Sequence, residues 1–217
     1  MIAALTGCAS VPSTTPTTEP APDGATGSSG VTTAFYGDSY TLGTGASASE
    51  KRWSTAICEA RNWTEFNPSV NGLGFINNRG SSRDIPREII AQKPDILFIT
   101  MGLNDNFSYQ PGNDLIKSQI TKDFERFNSE LPDARIIVVE PFWYTDERPE
   151  SVEIIIGWVK DAAAAIDAEY IPGASHWIEG HPEWMAQDGL HPNDAGYAEM
   201  AKRMEEELVK LDLPPVG

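Results

Sequence analysis

The chain has 217 residues, 40% hydrophobic and 22% charged, which is enough for one domain with a sizeable core and too short to require two. Sixteen lysines and arginines against thirty-two aspartates and glutamates leave a formal net charge of −16, which repels a phosphate backbone and argues against nucleic acid as a partner. Two cysteines imply no disulfide framework, and no apolar run in the sequence is of membrane-spanning length.

The chain opens on an apolar stretch that ends in Leu5-Thr6-Gly7-Cys8. This resembles a bacterial lipobox, in which the cysteine is diacylated. The resemblance implies a lipid anchor on Cys8, a signal whose basic front precedes Met1, and an extracellular or cell-envelope location. Residues 1–8 are then the remnant of a signal peptide. Residues 9–30, "ASVPSTTPTTEPAPDGATGSSG", carry no lysine or arginine and no apolar periodicity, the composition of a flexible spacer. The folded domain is expected over 31–217.

From Val31 short β-branched or apolar runs alternate with longer segments of helical period. That is the pattern of an α/β sandwich built on a parallel sheet. Strands are expected at Thr32 to Tyr36, Thr64 to Asn67, Ile96 to Met101, Arg135 to Val139 and Glu169 to Ile171. Helices are expected at Arg52 to Arg61, Ile85 to Gln92, Asn113 to Glu130 and Pro149 to Ala168. A last helix should run from Asp194 to Leu211, with Asn193 as its N-cap. Cys58 lies on a helical stripe with Trp53, Ala56, Ile57 and Ala60, which predicts a buried structural thiol.

In an open parallel sheet, ligands bind beyond the carboxyl ends of the strands. The residues at those places here are chemically distinctive. The first strand is followed by Gly37-Asp38-Ser39-Tyr40, the second by Val70-Asn71-Gly72-Leu73-Gly74 and the third by Gly102-Leu103-Asn104-Asp105. The fourth leads into Pro141-Phe142-Trp143-Tyr144, and the chain beyond the fifth reaches "DGLHPND", residues 188–194.

These residues suit acyl transfer. A serine hydroxyl needs a base to take its proton, and the base needs a carboxylate on its other ring nitrogen. Ser39 is the candidate nucleophile and His191 the candidate base. Asp188, three residues earlier across a turn that Gly189 permits, is the candidate orienting acid. The oxyanion formed on attack calls for preorganised donors. The backbone N–H of Ser39, the N–H of Gly72 or of Gly74, and the Asn104 amide could supply them.

Any one of these pieces alone is ordinary turn composition or a surface ion pair. Their joint occurrence, in the order Ser, Gly, Asn, Asp, His at successive strand ends, resembles the SGNH or GDSL-like serine hydrolase family, through "YGDSYTLGTGAS", "NGLGF", "MGLND" and "DGLHPN". The resemblance covers essentially the whole domain. It implies a flavodoxin-like three-layer α/β/α sandwich with a five-stranded parallel sheet. It also implies Ser39 as nucleophile and first oxyanion donor, Gly72 and Asn104 as the other donors, and Asp188 and His191 as acid and base. No metal or organic cofactor is needed. The expected substrate is a small-molecule or carbohydrate ester with a short acyl group, and the alternatives within the family are a lysophospholipase, a lipase or an acyltransferase. Phe107, Tyr109 and Trp143 are candidate substrate contacts, and Ser39 is expected within hydrogen-bond reach of His191.

Two other classes compete. His176, Glu179, His181, Glu183, Asp188 and His191 offer nitrogen and oxygen ligands of the kind zinc prefers, but without a helical H-E-x-x-H register. A non-catalytic carbohydrate-binding module could use Phe107, Tyr109, Phe142, Trp143, Tyr144, Trp177 and Trp184 for stacking on sugar rings.

Overall fold

The computed structural model describes residues 30–80 and 83–213. Cys8, expected to carry a lipid, and residues 9–29 of the expected spacer lie outside the described residues. Five strands form one sheet: β1 (Thr32–Tyr36), β2 (Thr64–Phe66), β3 (Ile96–Ile99), β4 (Arg135–Val139) and β5 (Glu169–Ile171). Their order is β2-β1-β3-β4-β5, and every pairing is parallel. This is the flavodoxin-like order of a doubly wound sheet.

Strand alternation sends side chains to two cores. Phe35, Phe98, Ile137 and Val139 face one side of the sheet with Trp53 and Ile57 of α2 (Trp53–Arg61) and with Met200, Met204 and Leu208 of α6 (Asp194–Lys210). Ala34, Tyr36, Leu97, Ile99 and Val138 face the other side. There they meet α3 (Ile85–Gln92), α4 (Leu115–Glu130) and α5 (Glu150–Ala165) through Ile89, Phe124 and Val159. Phe35 stacks on Phe98 at 5.2 Å between centroids across the β1 and β3 register. Truncating such a buried ring costs about 3–5 kcal/mol.

The expected elements are all present, with shifted ends that have local causes. β2 stops at Phe66 because the Asn67 side chain turns back, donating to the Thr41 carbonyl at 2.8 Å and accepting from Ser69 N–H at 3.2 Å. β3 ends at Ile99, and the Thr100 hydroxyl pairs with that of Thr41 at 2.6 Å. Arg52 precedes α2 in an extended conformation, so that helix begins at Trp53. α4 starts later than expected because Asn113 accepts the Leu115 N–H at 3.0 Å in a turn. α5 begins after Pro149 and ends at Ala165, where Asp167 takes a left-handed φ of 58°. α6 is capped as expected: the Asn193 side chain accepts from the N–H groups of Ala195 and Gly196.

One helix was not anticipated. Four residues, Ser39–Leu42, form α1 directly after β1. Four residues are too few for a hydrophobic period to be read. Cys58 is buried, and burial pushes its thiol well above the usual range, as a structural role requires.

Candidate active site

β1 delivers Gly37, Asp38 and Ser39 at the carboxyl end of the sheet. Asp38 caps α1, its Oδ1 accepting from Tyr40 N–H at 3.0 Å, so Ser39 is held in the first turn. The next residue ties this turn to the histidine loop. Tyr40 is buried, stacks on Phe142 at 5.8 Å, and donates its hydroxyl to the Leu190 carbonyl at 2.6 Å. Its ring centroid lies 6.1 Å from that of His191.

The histidine loop is organised by short-range bonds. Asp188 Oδ2 meets His191 Nδ1 at 2.7 Å, while Oδ1 accepts from the N–H groups of Leu190 and His191 at 2.9 and 3.0 Å. The His191 side-chain bond, then these two backbone donors, pull the Asp188 carboxyl down to about 2. A bridge between Met185 and Pro192 closes the base of the loop, and Ala186 N–H donates to the His191 carbonyl at 2.8 Å. Ser47 binds Asp194 through backbone and hydroxyl, at 2.8 and 2.6 Å, and Tyr197 donates to the Thr44 carbonyl at 2.8 Å. The approach between segments is so close at Gly45 that an added Cβ would stand 2.4 Å from the Pro192 carbonyl oxygen.

Ser39 and His191 therefore sit on adjoining segments, but no hydrogen bond joins the hydroxyl to the imidazole among the described residues. This corrects the expectation of direct contact. The imidazole is oriented through Nδ1 by Asp188, and bonds of this type are often long without substrate and tighten in the reacting complex.

On the opposite side lie the candidate oxyanion donors. The backbone N–H groups of Ser39 and Gly72 have no acceptor among the described residues. Gly72 sits at φ +70°, and its carbonyl is held by the side-chain amides of Asn77 and Asn78 at 2.7 and 3.0 Å. A Cβ there would lie 2.6 Å from Asn78 Nδ2. Gly74 has no free donor, since its N–H is spent on the Asn77 carbonyl at 2.9 Å. Asn104 Nδ2 is held between Asp38 Oδ2 at 3.1 Å and the Leu73 carbonyl at 3.0 Å. Its amide is thus fixed in place, with both hydrogens already engaged.

Two buried carboxyls build this side, and the sequence reading assigned a role to neither. Asp105 accepts from the N–H groups of Phe75, Ile76 and Asn77 at 2.7, 2.8 and 3.4 Å, and so clamps the segment that follows Gly72. Burial raises its pKa against the pull of those donors. Asp38 is pushed up to about 7, chiefly by burial, against the Tyr40 N–H bond that stabilises its charge. The sequence signal for both is their position inside "GDS" and "GLND", next to Ser39 and Asn104.

The aromatic candidates need correction. Trp143 is 2% exposed, and its indole donates to Thr145 Oγ1 and the Glu147 carbonyl at 2.9 and 3.0 Å, so it is a wall and not a stacking face. Tyr109 packs against Trp158 of α5 at 6.1 Å. Phe107 is 59% exposed and available to solvent. The histidine and acid cluster separates into three pairs, His176 with Glu179, His181 with Glu183 and His191 with Asp188. No three such groups converge on a common point among the described residues.

A doubly wound α/β/α sandwich with a serine, a glycine, an asparagine and an acid and histidine pair gathered beyond its strand ends defines a class of ester hydrolase. The profile of the GDSL-like Lipase/Acylhydrolase family matches residues 35–199, and the chain belongs to that family. A GDSL lipase of Mycobacterium tuberculosis is 25% identical over 197 residues, covering 83% of this chain and 82% of the relative. The psychrotrophic esterase EstA of a Pseudoalteromonas species superposes with a TM-score of 0.64 at 17% identity, over 83% of this chain and 97% of its own. Axe2, an acetylxylan esterase of Geobacillus stearothermophilus, superposes with a TM-score of 0.62 at 19% identity, over 83% and 94%. At such identities the two structures establish the shared fold.

Proposed function

We propose that this hydrolase removes short acyl groups, acetyl foremost, from carbohydrate or small-molecule esters through an acyl-enzyme on Ser39. The observation that carries the reading is the Asp188 and His191 pair at 2.7 Å, packed through Tyr40 against the turn that presents Ser39. His191 takes the Ser39 proton as Oγ bonds to the ester carbonyl carbon. The developing oxyanion is received by the Ser39 and Gly72 N–H groups, with the fixed Asn104 amide beside them. As the carbon–oxygen bond to the alcohol breaks, His191 returns that proton to the leaving oxygen. Water, deprotonated by the same imidazole, then releases the acid and restores Ser39.

The short-acyl preference is supported by the likeness to an acetylxylan esterase. Assay against p-nitrophenyl esters from acetyl to long chains tests it: rates should be highest for the shortest chains. Labelling by an organophosphonate, located at Ser39 by mass spectrometry, tests the nucleophile. A long-chain preference would replace this reading with a lipase. The lipobox-like Leu5-Thr6-Gly7-Cys8 supports export and anchoring of the same enzyme at the cell envelope. Incorporation of a palmitate probe, lost in Cys8→Ser, is the corresponding measurement.

A further inference from the structure

A cleft of about 500 Å³ opens between the segment after β4 and the loop that carries His191, lined by Tyr144, Thr145, Asp146, Ile178, His181 and Gln187 among others. Ala186, Gln187 and Gly189, which flank Asp188 on the histidine loop, also border it. Another cavity, between Tyr36, Leu73, Arg79 and Ile85, has about 30 Å³, room for one or two waters and no substrate. We propose that the larger cleft is the alcohol-side subsite of the enzyme and takes a sugar ring, with Tyr144 as its stacking face and Asp146 and Gln187 as its hydroxyl partners. The inference rests on the esterase reading above and names the part of the substrate that this cleft holds.

Position assigns the cleft to the leaving alcohol. His191 must protonate the departing oxygen, so the alcohol lies on the histidine side of the scissile bond. The oxyanion donors belong to the loops after β1, β2 and β3, whereas the cleft is bounded by the segment after β4 and by the histidine loop beyond β5.

Lining chemistry assigns it to a sugar. Tyr144 is half-buried and braced by Trp143 at 4.7 Å, which gives a firm aromatic face at low conformational cost. Asp146 uses Oδ1 to accept the Gly180 N–H at 2.7 Å, and this bond joins the two walls of the cleft. Its Oδ2 and the Gln187 amide have no protein partner among the described residues. One aromatic face with an unengaged carboxylate oxygen and an unengaged amide suits a ring that has an apolar face and hydroxyl edges. Ile178, Pro182, Met185 and Ala186 add apolar wall, and Asp146 and Gln187 interrupt it where an acyl chain would want it continuous. An anionic phospholipid headgroup would meet Asp146 in a chain of net charge −16.

The test compares kcat/KM on partially acetylated xylo-oligosaccharides with kcat/KM on p-nitrophenyl acetate, for the wild type, Tyr144→Ala, Tyr144→Phe and Gln187→Ala. The ratio should fall about tenfold in Tyr144→Ala through KM on the oligosaccharide, and several-fold in Gln187→Ala. Tyr144→Phe should keep most of it, because the ring remains. Lys122→Ala, on the exposed face of α4, should leave both rates unchanged. Gln187 is exposed and outside the core, so that variant stays informative if Tyr144→Ala folds poorly. Ratios within twofold of wild type in both alanine variants, with the wild type active on both esters, would overturn the subsite and leave the esterase intact. A wild type inactive on both esters would instead remove the esterase reading. Titration of unacetylated xylo-oligosaccharide against intrinsic tryptophan fluorescence then decides the cleft, and lack of saturable binding up to millimolar concentration sinks it.

Discussion

Two carboxyls flank the nucleophile, and their surroundings move them in opposite directions. Asp38, one residue before Ser39, is 1% exposed and is pushed up to about 7 by burial. Asp188, on the histidine loop, has a side chain 49% exposed and is drawn down to about 2 by the imidazole and two backbone donors. The contrast extends to the regions around them. The donor side is assembled from loops distant in sequence and cross-braced by buried groups, Asn104 to Asp38 and Asp105 to residues 75–77. The histidine side is a local hairpin whose main bonds span three residues. Preorganisation of oxyanion donors requires rigidity, and the proton-shuttling side requires an ionised partner with access to water.

Breaking the chemistry outright should have the largest effect. Ser39→Ala and His191→Ala are each expected to lower kcat for an acetyl ester by about 10⁴-fold or more while the protein remains folded, read by steady-state rates and circular dichroism. Wild-type-like turnover in either would sink the assignment. Asp188→Asn should be severe but less absolute, at most roughly 10⁴-fold in kcat, because it disturbs the tautomer and does not remove the base. The same assay ranks the three.

The donor side should fail through stability as well as rate. Asp105→Ala leaves three N–H groups of a buried segment without their acceptor, which is expected to cost about 3 kcal/mol. Urea unfolding should show that loss, and kcat should drop alongside because the segment after Gly72 is no longer clamped. Equal stability with intact kcat would show that Asp105 has no positioning role.

Asp38 sharpens the comparison through pH. Its folded pKa is raised, so between roughly pH 4 and 7 the native state keeps a proton that the unfolded chain releases. Stability should therefore decline as pH rises through that window and level off above it. Asp38→Asn should flatten the slope, as read by urea midpoints at pH 5 and pH 8, whereas Asp188→Asn should leave it in place. An unchanged slope in Asp38→Asn would assign the effect to other groups. The smallest expected change is in Tyr40→Phe, which removes only the 2.6 Å bond to the Leu190 carbonyl between the two regions. About 1 kcal/mol of stability and a several-fold fall in kcat are expected.

Much of this was legible in order along the chain. The inner strands announced themselves because a parallel sheet covered on both faces needs nearly continuous apolar strands, as Ile96–Ile99 and Arg135–Val139 show, whereas the edge strands Thr64–Phe66 and Glu169–Ile171 are short and mostly half-buried. Asn193 was readable as a cap, and Asp188 with His191 as a pair, because their bonds reach only two or three residues. The burial of Trp143 depends on what packs behind the β4 loop, which its own segment does not reveal, and its half-buried neighbour Tyr144 is the one that lines the cleft.

By itself, then, the amino-acid sequence determined the α/β class, the helix cap, the local dyad and the acidic surface charge, since each depends on periodicity, composition or near neighbours. Tertiary structure alone decided that Gly72 and not Gly74 has the unengaged donor, because Asn77 folds back onto Gly74. It also decided that Asp38 and Asp105 are buried braces, and that a cleft adjoins the histidine loop. Those outcomes depend on which loops meet once the strands are ordered β2-β1-β3-β4-β5, and on how much water is left at each carboxyl.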